Sequence, residues 1–344
     1  MSLKTFVEAM PKVDLHVQLE GSFDIQRLLL IAEQHDVPET LKHYDTWAGL
    51  LRKPDYGRLY DLIRMVNTWV KDSGDLSWLA YDLGTHLHKQ GVVYAEVGVC
   101  PSYYPEVQLD IEALFAAIND GRERAEKAWG IRMAWIYNVP RDEPRRVEDA
   151  ARWATSIPAQ RANVVGMGLI GRDDVQPPLQ FERAFRALEK RELARVVRVG
   201  EMTNTAGVKA AYEPLLPTRL VDARGAVEDG TLIEQVVEHR TALLISPTRS
   251  IRHKWTTAAD LPLRRLVDMG AALVIGADMP TLYQTTLNKE YIAAVEQGGL
   301  TIEEVIEVAL NAVAHSTLSQ ADKDDMIASF QERYATLQVE HLSA

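Results

Sequence analysis

The residues best suited to chemistry in this sequence lie in its first apolar segment. Residues 13–19, VDLHVQL, alternate apolar and polar side chains, and a period of two is typical of a β-strand. His16 and Gln18 therefore point to the same face of that strand. Two histidines at this spacing can bind one zinc ion together, but here an amide replaces the second imidazole. The segment predicts a metal site from which one ligand is missing.

The elements that must position these residues are short apolar segments separated by amphipathic stretches. Continuous apolar strands that alternate with helices indicate a parallel sheet. Eight such units in a chain of this length favour an α/β fold of the closed (β/α)₈ TIM-barrel type. The eight apolar segments are 13–19, 92–99, 131–139, 164–170, 194–199, 219–223, 241–245 and 271–276.

Functional side chains of such barrels lie at the carboxyl ends of the strands. This rule selects a small set of residues from the whole chain. The residues predicted at strand ends are His16, Gln18, Glu20, Glu96, Gly171, Arg198, Glu201, Asp222, Thr248 and Asp278.

Two regions do not fit a simple strand–helix repeat. Residues 20–91 are too many for one helix and predict an inserted helical lobe over the barrel mouth. Residues 301–339 predict two further helices, the first with Thr301 and Glu304 as a capping box and the second with Ser319 as its cap. We expect residues 1–344 to form one domain.

Composition and charge exclude several classes of protein. The 344 residues are 47% hydrophobic and 25% charged, which is ordinary globular composition. The net charge of −11 and the absence of a Lys/Arg block argue against nucleic acid as a partner. No stretch is apolar enough for a membrane span, so we expect a cytoplasmic protein without membrane contact. A single cysteine, Cys100, excludes a disulfide framework.

Seven segments, in order along nearly the whole chain, resemble motifs of the adenosine deaminase family of metal-dependent hydrolases. Each match is weak alone, but the order and the strand-end positions make the set specific. The segments are PKVDLHVQLEG, YAEVGVCP, VVGMGLIGRDD, RVVRVGE, RLVDARGAVED, LLISPTRS and VIGADMP.

The resemblance implies a role for each polar position in hydrolysis of a cyclic amidine C–N bond. In this family three histidines and an aspartate hold one Zn²⁺, and the zinc activates a water molecule. His16 and Asp278 match two of the ligands, and Glu201 matches the glutamate that shuttles a proton. Glu20 and Gly171 stand where the family contacts the nucleoside.

Four positions depart from the family pattern. Gln18 and Arg198 replace two histidine ligands, Asp222 replaces the histidine that orients the water, and Met279 replaces the following aspartate. Arginine stays protonated and cannot ligate zinc. We therefore expect an ion-pair network in which Arg198 takes the place of the metal, and a protein that uses no cofactor unless a rewired site binds zinc.

Three interpretations remain open. The first is a degenerate deaminase homologue, or pseudoenzyme, that keeps a purine-sized pocket. The second is an active aminohydrolase in which Asp222 serves as ligand or base and Arg198 binds an anionic group of the substrate. Arg249 and Arg252 are compatible with this, but a solvated loop is the favoured explanation for them. The third is a protein-interaction barrel. The sequence does not decide whether the chain forms a homo-oligomer.

The third interpretation depends on the aromatic residues of the lobe. They form the core of the lobe if they pack inward, and an interface or a lid if they are exposed. These residues are Trp47, Tyr56, Tyr60 and Trp69.

Overall fold

Eight parallel strands form the centre of the computed structural model, which describes residues 2–37 and 44–342. They follow one another in sequence order around the sheet, each hydrogen-bonded to the next. The strands are β1 (Lys12–Gln18), β2 (Val92–Val99), β3 (Arg132–Pro140), β4 (Val164–Ile170), β5 (Ala194–Arg198), β6 (Arg219–Val221), β7 (Ala242–Ile245) and β8 (Leu273–Ile275). The predicted (β/α)₈ barrel is confirmed, with all eight strands at the predicted places.

The sheet closes between its first and last strands. Val17 of β1 pairs with Asp278, three residues beyond the end of β8. Two backbone hydrogen bonds of 2.8 Å join these segments, from Asp278 N to the carbonyl of His16 and from Gln18 N to the carbonyl of Asp278. The barrel is therefore closed by two segments that carry predicted site residues: β1 with His16 and Gln18, and the segment after β8 with Asp278.

Helices surround the barrel and account for most of the remaining chain. The helices before β4 are α1 (Leu3–Ala9), α2 (Ile25–Gln34), α3 (Tyr44–Arg52), α4 (Leu59–Asn67), α5 (Ser73–His88), α6 (Ile111–Trp129), α7 (Pro144–Ala154) and α8 (Ile157–Arg161). The later helices are α9 (Glu182–Glu189), α10 (Asn204–Leu215), α11 (Gly230–Glu238), α12 (Pro247–Arg252), α13 (Leu263–Asp268), α14 (Pro280–Tyr283), α15 (Leu287–Glu296), α16 (Ile302–Ala314) and α17 (Gln320–Leu342). None of the helices in the described ranges combines the length and apolar character needed to cross a membrane.

Short polar side chains fix the helix ends where the sequence places them. Thr301 and Glu304 form the predicted capping box of α16, and Ser319 accepts a hydrogen bond from Asp322 N at the start of α17. Such caps satisfy backbone groups that the helix itself leaves unpaired. Cys100 is buried, as a free cysteine in a core generally is.

The lobe between β1 and β2 contains α2, α3, α4 and α5, and its aromatic residues pack inward. Trp69 is buried and its ring lies 5.2 Å from that of Trp47 in an edge-to-face arrangement. The Tyr60 hydroxyl reaches a carboxylate oxygen of Glu201, so the lobe contacts the barrel mouth directly. Part of the predicted lobe, residues 38–43 with His43, lies outside the described residues. The single-domain assignment of 1–344 stays a prediction.

Candidate functional site

Arg198, the last residue of β5, lies at the centre of a buried cluster of carboxylates. Its Nη2 lies 2.7 Å from Asp278 Oδ1, and its Nη1 lies 3.1 Å from Asp222 Oδ2 and 3.2 Å from Glu201 Oε1. All four side chains are 3% exposed or less. A guanidinium group thus occupies the space between the three acidic residues that the sequence predicted at the strand ends.

A second arginine, Arg249, completes this cluster. Arg249 follows β7 in the first turns of α12 and forms ion pairs with Glu201, Asp222 and Asp278. Its side chain is buried, so the solvated-loop explanation is wrong for this residue. We call Arg198, Arg249, Glu201, Asp222 and Asp278 the mouth cluster.

The two arginines set the ionisation of the aspartates. Burial alone raises the pKa of a carboxyl group, but Arg198 and Arg249 outweigh it and hold the pKa of Asp222 and of Asp278 below the ordinary value. For Glu201 the balance is different, since burial raises its pKa against the opposing effect of both arginines. With every member ionised, two cations face three carboxylates.

Both aspartates of the mouth cluster have strained backbones. Asp222 has φ of 62° and Asp278 has φ of 55°, in the left-handed region that L-residues other than Asn and Asp seldom enter. Such strain persists where the surroundings fix the conformation, and it often marks functional positions. Here the turns place both carboxylates on the axis of the barrel mouth.

The loop that carries Glu201 is fixed by Asp173, which follows β4. The Asp173 carboxylate accepts hydrogen bonds from Gly200 N at 2.7 Å and Met202 N at 2.9 Å. Gly200 has φ of 92°, which favours glycine. Asp173 therefore holds the backbone on both sides of Glu201.

His16 lies beside the cluster but remains outside its hydrogen bonds. Its Nε2 lies 3.5 Å from Asp278 Oδ1 and has no hydrogen-bond partner among the described residues, although the side chain is buried. Burial lowers the pKa of His16 to about 4. The imidazole is therefore neutral near pH 7, which is the form that binds metals.

Gln18 is hydrogen-bonded to β3, two strands away in the barrel. Its Oε1 accepts a hydrogen bond of 2.5 Å from Asn138 Nδ2 on β3. A Cβ atom at Gly98 of β2 would lie only 2.1 Å from Gln18 Oε1. The amide thus fills space that this glycine leaves, and its oxygen is engaged by Asn138.

The two residues predicted to contact a nucleoside lie on the β1 and β4 sides of the mouth. Glu20 is buried, and its Oε1 accepts a hydrogen bond of 2.7 Å from Cys100 N. Burial raises the pKa of Glu20 to about 7. Gly171 follows β4 with φ of 85°, close to the backbone of Arg141.

Sequence reasoning missed Arg141 at the mouth and named Tyr60 only as an aromatic residue of the lobe. Arg141 follows β3, is fully buried, donates from Nη2 to the carbonyl of Arg198, and leaves Nε and Nη1 without a partner. Tyr60 of α4 covers the cluster, with its hydroxyl near Glu201 and Arg249. Arg141 directly follows a predicted strand and could have been selected by that rule, whereas no local pattern distinguishes Tyr60.

One predicted strand-end residue is misplaced. Glu96 lies in the middle of β2, bonded to Arg219 at 2.5 Å and to Thr317 N at 2.6 Å. Arg219 begins β6, so this pair lies towards the amino-terminal end of the barrel, away from the mouth cluster. Thr248 does follow β7, where its backbone N–H donates to Glu290.

The donors of the mouth fit a zinc ion only in part. His16 Nε2 and the Asp278 carboxylate are conventional zinc ligands, and Asp222 Oδ1 is buried without a partner. The space beside them holds Arg198. Within residues 2–37 and 44–342, three potential ligands come within 4.8 Å of one another only at His35, Asp72 and Asp75 in the lobe. As the side chains stand, the mouth does not present the four-ligand set.

Comparison with known proteins places these observations in a family. The family model described as adenosine deaminase matches residues 11–333. The chain is similar to aminodeoxyfutalosine deaminase of Streptomyces avermitilis, with 27% identity over 93% of this chain and 90% of that protein.

Two solved structures share the fold. An amidohydrolase from Burkholderia ambifaria, with bound Zn, has a TM-score of 0.90 at 21% identity and covers 99% of this chain and 95% of its own. An Arabidopsis protein, solved in complex with GMP, has a TM-score of 0.84 at 18% identity and covers 95% and 98%.

These comparisons correct one prediction. The expectation that the protein uses no cofactor is contradicted, because a protein that shares the fold over nearly the whole chain binds Zn. The physical reason lies in what is retained here: a neutral buried imidazole at His16 faces the Asp278 carboxylate, as two zinc ligands do. The four substitutions alone were too narrow a basis for excluding a metal.

Proposed function

This chain belongs to the adenosine deaminase family, and from that premise we propose that it binds a purine-type small molecule at the barrel mouth with little of the family's deaminase activity. The observation that carries the proposal is the pair of arginines in the mouth cluster. Arg198 stands where the resemblance implies a histidine ligand, so a zinc ion held by His16 and Asp278 would lack part of the family's ligand set and lie beside a fixed positive charge.

The arginines also engage the residue that the family uses to move a proton. Glu201 is bonded to both guanidinium groups, so its carboxylate is less available to a substrate. A positioned general base contributes about 10²–10⁴-fold to a rate, which is roughly 3–5 kcal/mol. A zinc ion that lowers the pKa of water from about 15.7 to about 7 contributes roughly 12 kcal/mol at about 1.36 kcal/mol per unit. Engaging Glu201 therefore weakens the first contribution, and an incomplete set of zinc ligands would weaken the second.

Four observations support a purine-type ligand. The positions for nucleoside contact, Glu20 and Gly171, are retained, and the relative from Streptomyces is named a deaminase of aminodeoxyfutalosine. A solved neighbour binds GMP. Arg141 leaves two buried N–H groups unpaired beside the mouth cluster, and unpaired donors of this kind suit an anionic group on the ligand.

Ligand entry requires the lobe to move. The mouth cluster and His16 are almost fully buried, and Tyr60 lies over Glu201. Loops and lobes that close over a site commonly open on the microsecond to millisecond timescale. We therefore expect ligand binding to depend on the contact between α4 and the barrel.

A second candidate is an active aminohydrolase with a rewired metal site. The specific observation in its favour is that His16 Nε2 and Asp222 Oδ1 are both buried and unpartnered near Asp278. Together with Asp278 they offer one nitrogen and two carboxylates, a donor set that catalytic zinc sites accept. In this case Arg198 would bind an anionic group of the substrate.

The deciding experiment measures metal content, deamination and purine binding on one preparation. The full-length protein is purified without chelators and incubated with zinc. The proposal predicts a rise in melting temperature with adenosine or GMP, and ammonia release from adenosine or adenine no faster than in buffer. Absence of any purine-dependent shift would contradict it.

Variants separate the two candidates. Zinc at one ion per chain, with ammonia release that Glu201→Gln abolishes, would establish the rewired enzyme. The exposed Glu112→Gln serves as the control, because it changes the same chemical group far from the mouth. Replacing Gln18→His, Arg198→His, Asp222→His and Met279→Asp together is expected to increase both zinc content and activity.

A further inference from the structure

A cavity of about 840 Å³ lies at the opposite end of the barrel from the mouth cluster. Residues at the starts of β5, β6 and β7 line it, among them Arg195, Arg219 and Thr241, together with the connection between α16 and α17. This volume lies within the range of sites that bind small organic molecules. The amino-terminal end of a barrel ordinarily serves stability rather than catalysis, so the cavity is independent of the family's site.

Three cations of the cavity wall have no carboxylate within ion-pair distance in the described part of the chain. Arg195, Arg240 and Lys323 line the cavity, and none of them has an ion-pair partner within 4 Å among the described residues. The protein has 49 acidic side chains and only 38 Lys and Arg side chains. In such an acidic chain, three cations that face one cavity without ion pairs are unexpected.

The other two cations of the cavity are paired with carboxylates and do not add to the unpaired positive charge. Arg219 is paired with Glu96, and Lys209 is paired with Asp229. Three glutamates also line the cavity, at positions 189, 192 and 213, and all three are exposed at its rim. Arg240 is exposed as well, whereas Arg195 and Lys323 are partly buried.

The cations of the cavity act on the pKa of His315. This half-buried residue connects α16 to α17, and its pKa is lowered to about 4, first by burial and then by Arg219, Lys323 and Arg240. Arg195 is held in place by hydrogen bonds from Nε to the Leu216 carbonyl at 2.6 Å and from Nη1 to the Leu193 carbonyl at 3.1 Å.

We propose that this cavity binds a small organic phosphate between Arg195, Arg240 and Lys323. Guanidinium groups bind phosphate oxygens through paired hydrogen bonds, and a lysine adds a mobile point charge. Backbone hydrogen bonds fix the orientation of the Arg195 guanidinium, so little order is lost on binding. The rest of the ligand occupies the volume between α10 and α11.

The test is a calorimetric titration of the full-length protein with three probes: ribose 5-phosphate, AMP and inorganic phosphate. The Arg240→Ala/Lys323→Ala double variant is compared with Lys190→Ala/Arg191→Ala, which removes two exposed cations that do not line the cavity. The cavity variant is expected to lose at least tenfold in affinity for an organic phosphate, and the control to stay within twofold of the natural protein.

The pKa of His315 is a second measurement, and it distinguishes binding in the cavity from binding at the mouth. Bound phosphate should raise the pKa of His315 towards its ordinary value, followed by NMR of the ring protons, in the natural protein and in Arg249→Met alike. If none of the probes binds, or if binding survives in the cavity variant, the proposal is overturned. Binding of inorganic phosphate with the same affinity as both organic probes also overturns it, because the cavity would then recognise no organic part.

Discussion

The pKa values of buried carboxyl groups are shifted in opposite directions on the two sides of the barrel mouth. On the side of β5 to β8, Asp222 and Asp278 are bonded to Arg198 and Arg249, and their pKa values lie below the ordinary range. On the side of β1 and β2, Glu20 has the Cys100 N–H for a partner and no cation, and its pKa is raised to about 7. Burial is nearly complete in both places.

The difference teaches that a cation partner decides the charge of Asp222, Asp278 and Glu20, which are all buried. Removing a carboxylate from water favours its neutral form, and nearby cations reverse this effect at the two aspartates, whereas burial prevails at Glu201. The aspartates of the arginine side therefore keep their charges, whereas Glu20 gains or loses a proton near neutral pH. A purine ligand would meet a fixed ionic surface on one side and a titrating group on the other.

Removing Arg249 should disrupt the ion pairs on the arginine side and give the largest loss of stability. We expect Arg249→Met to destabilise the protein by about 3–5 kcal/mol, because three buried carboxylates would keep only Arg198 as a cation. Urea denaturation at pH 7 measures the loss. Arg240→Met, which removes an exposed arginine without an ion pair among the described residues, should change the free energy of unfolding by less than about 0.5 kcal/mol. Similar losses in both variants would show that the network adds no stability.

Replacing Glu20 by a neutral residue should show how the titration of its carboxyl group affects stability. A carboxyl group whose pKa is raised on folding stabilises the protein fully below its unfolded pKa, and this contribution is lost as the pH rises through the folded pKa. For Glu20 the window runs from 4.5 to about 7, which corresponds to roughly 3 kcal/mol at about 1.36 kcal/mol per unit.

Glu20→Gln should therefore gain stability over the natural protein as the pH rises from 4 to 8. Its carboxamide oxygen can still accept the hydrogen bond from Cys100 N. The measurement is the free energy of unfolding at both pH values, with the exposed Glu112→Gln as the control that shows no such trend. A constant difference between Glu20→Gln and the natural protein across this range would mean that folding does not raise the pKa of Glu20.

The sequence predicted the strands that surround the mouth better than the side-chain contacts inside it. Eight apolar segments located the strands, because parallel strands buried on both faces consist of continuous apolar runs. The strand-end rule then placed His16, Arg198, Asp222 and Asp278 together, since the carboxyl ends of parallel strands meet at one end of the barrel. Both steps depend on local patterns that survive in a single sequence.

The rest of the mouth depends on contacts between distant segments. Arg249 was compatible with a solvated loop, because its burial follows from the packing of α12 against α15 and the barrel, which no local period encodes. Glu96 was placed at the mouth, although its carboxylate pairs with Arg219, 123 residues away. Tyr60 reaches Glu201 across 141 positions. A rule about strand ends cannot determine such pairings.

Removing the Tyr60 hydroxyl should give the smallest effect and test how the lobe is joined to the arginine side. The hydroxyl lies 3.5 Å from Glu201 Oε2 and 3.4 Å from Arg249 Nη2, so both contacts are weak by the usual geometry. We expect Tyr60→Phe to destabilise the protein by about 0.5 kcal/mol, while hydrogen exchange in α4 becomes faster because the lobe opens more readily. Tyr81→Phe, a change on α5 away from the mouth, should leave exchange in α4 unaltered. Unchanged exchange in Tyr60→Phe would show that apolar packing of the lobe, with Trp69 at its centre, holds the mouth closed without the help of this hydroxyl.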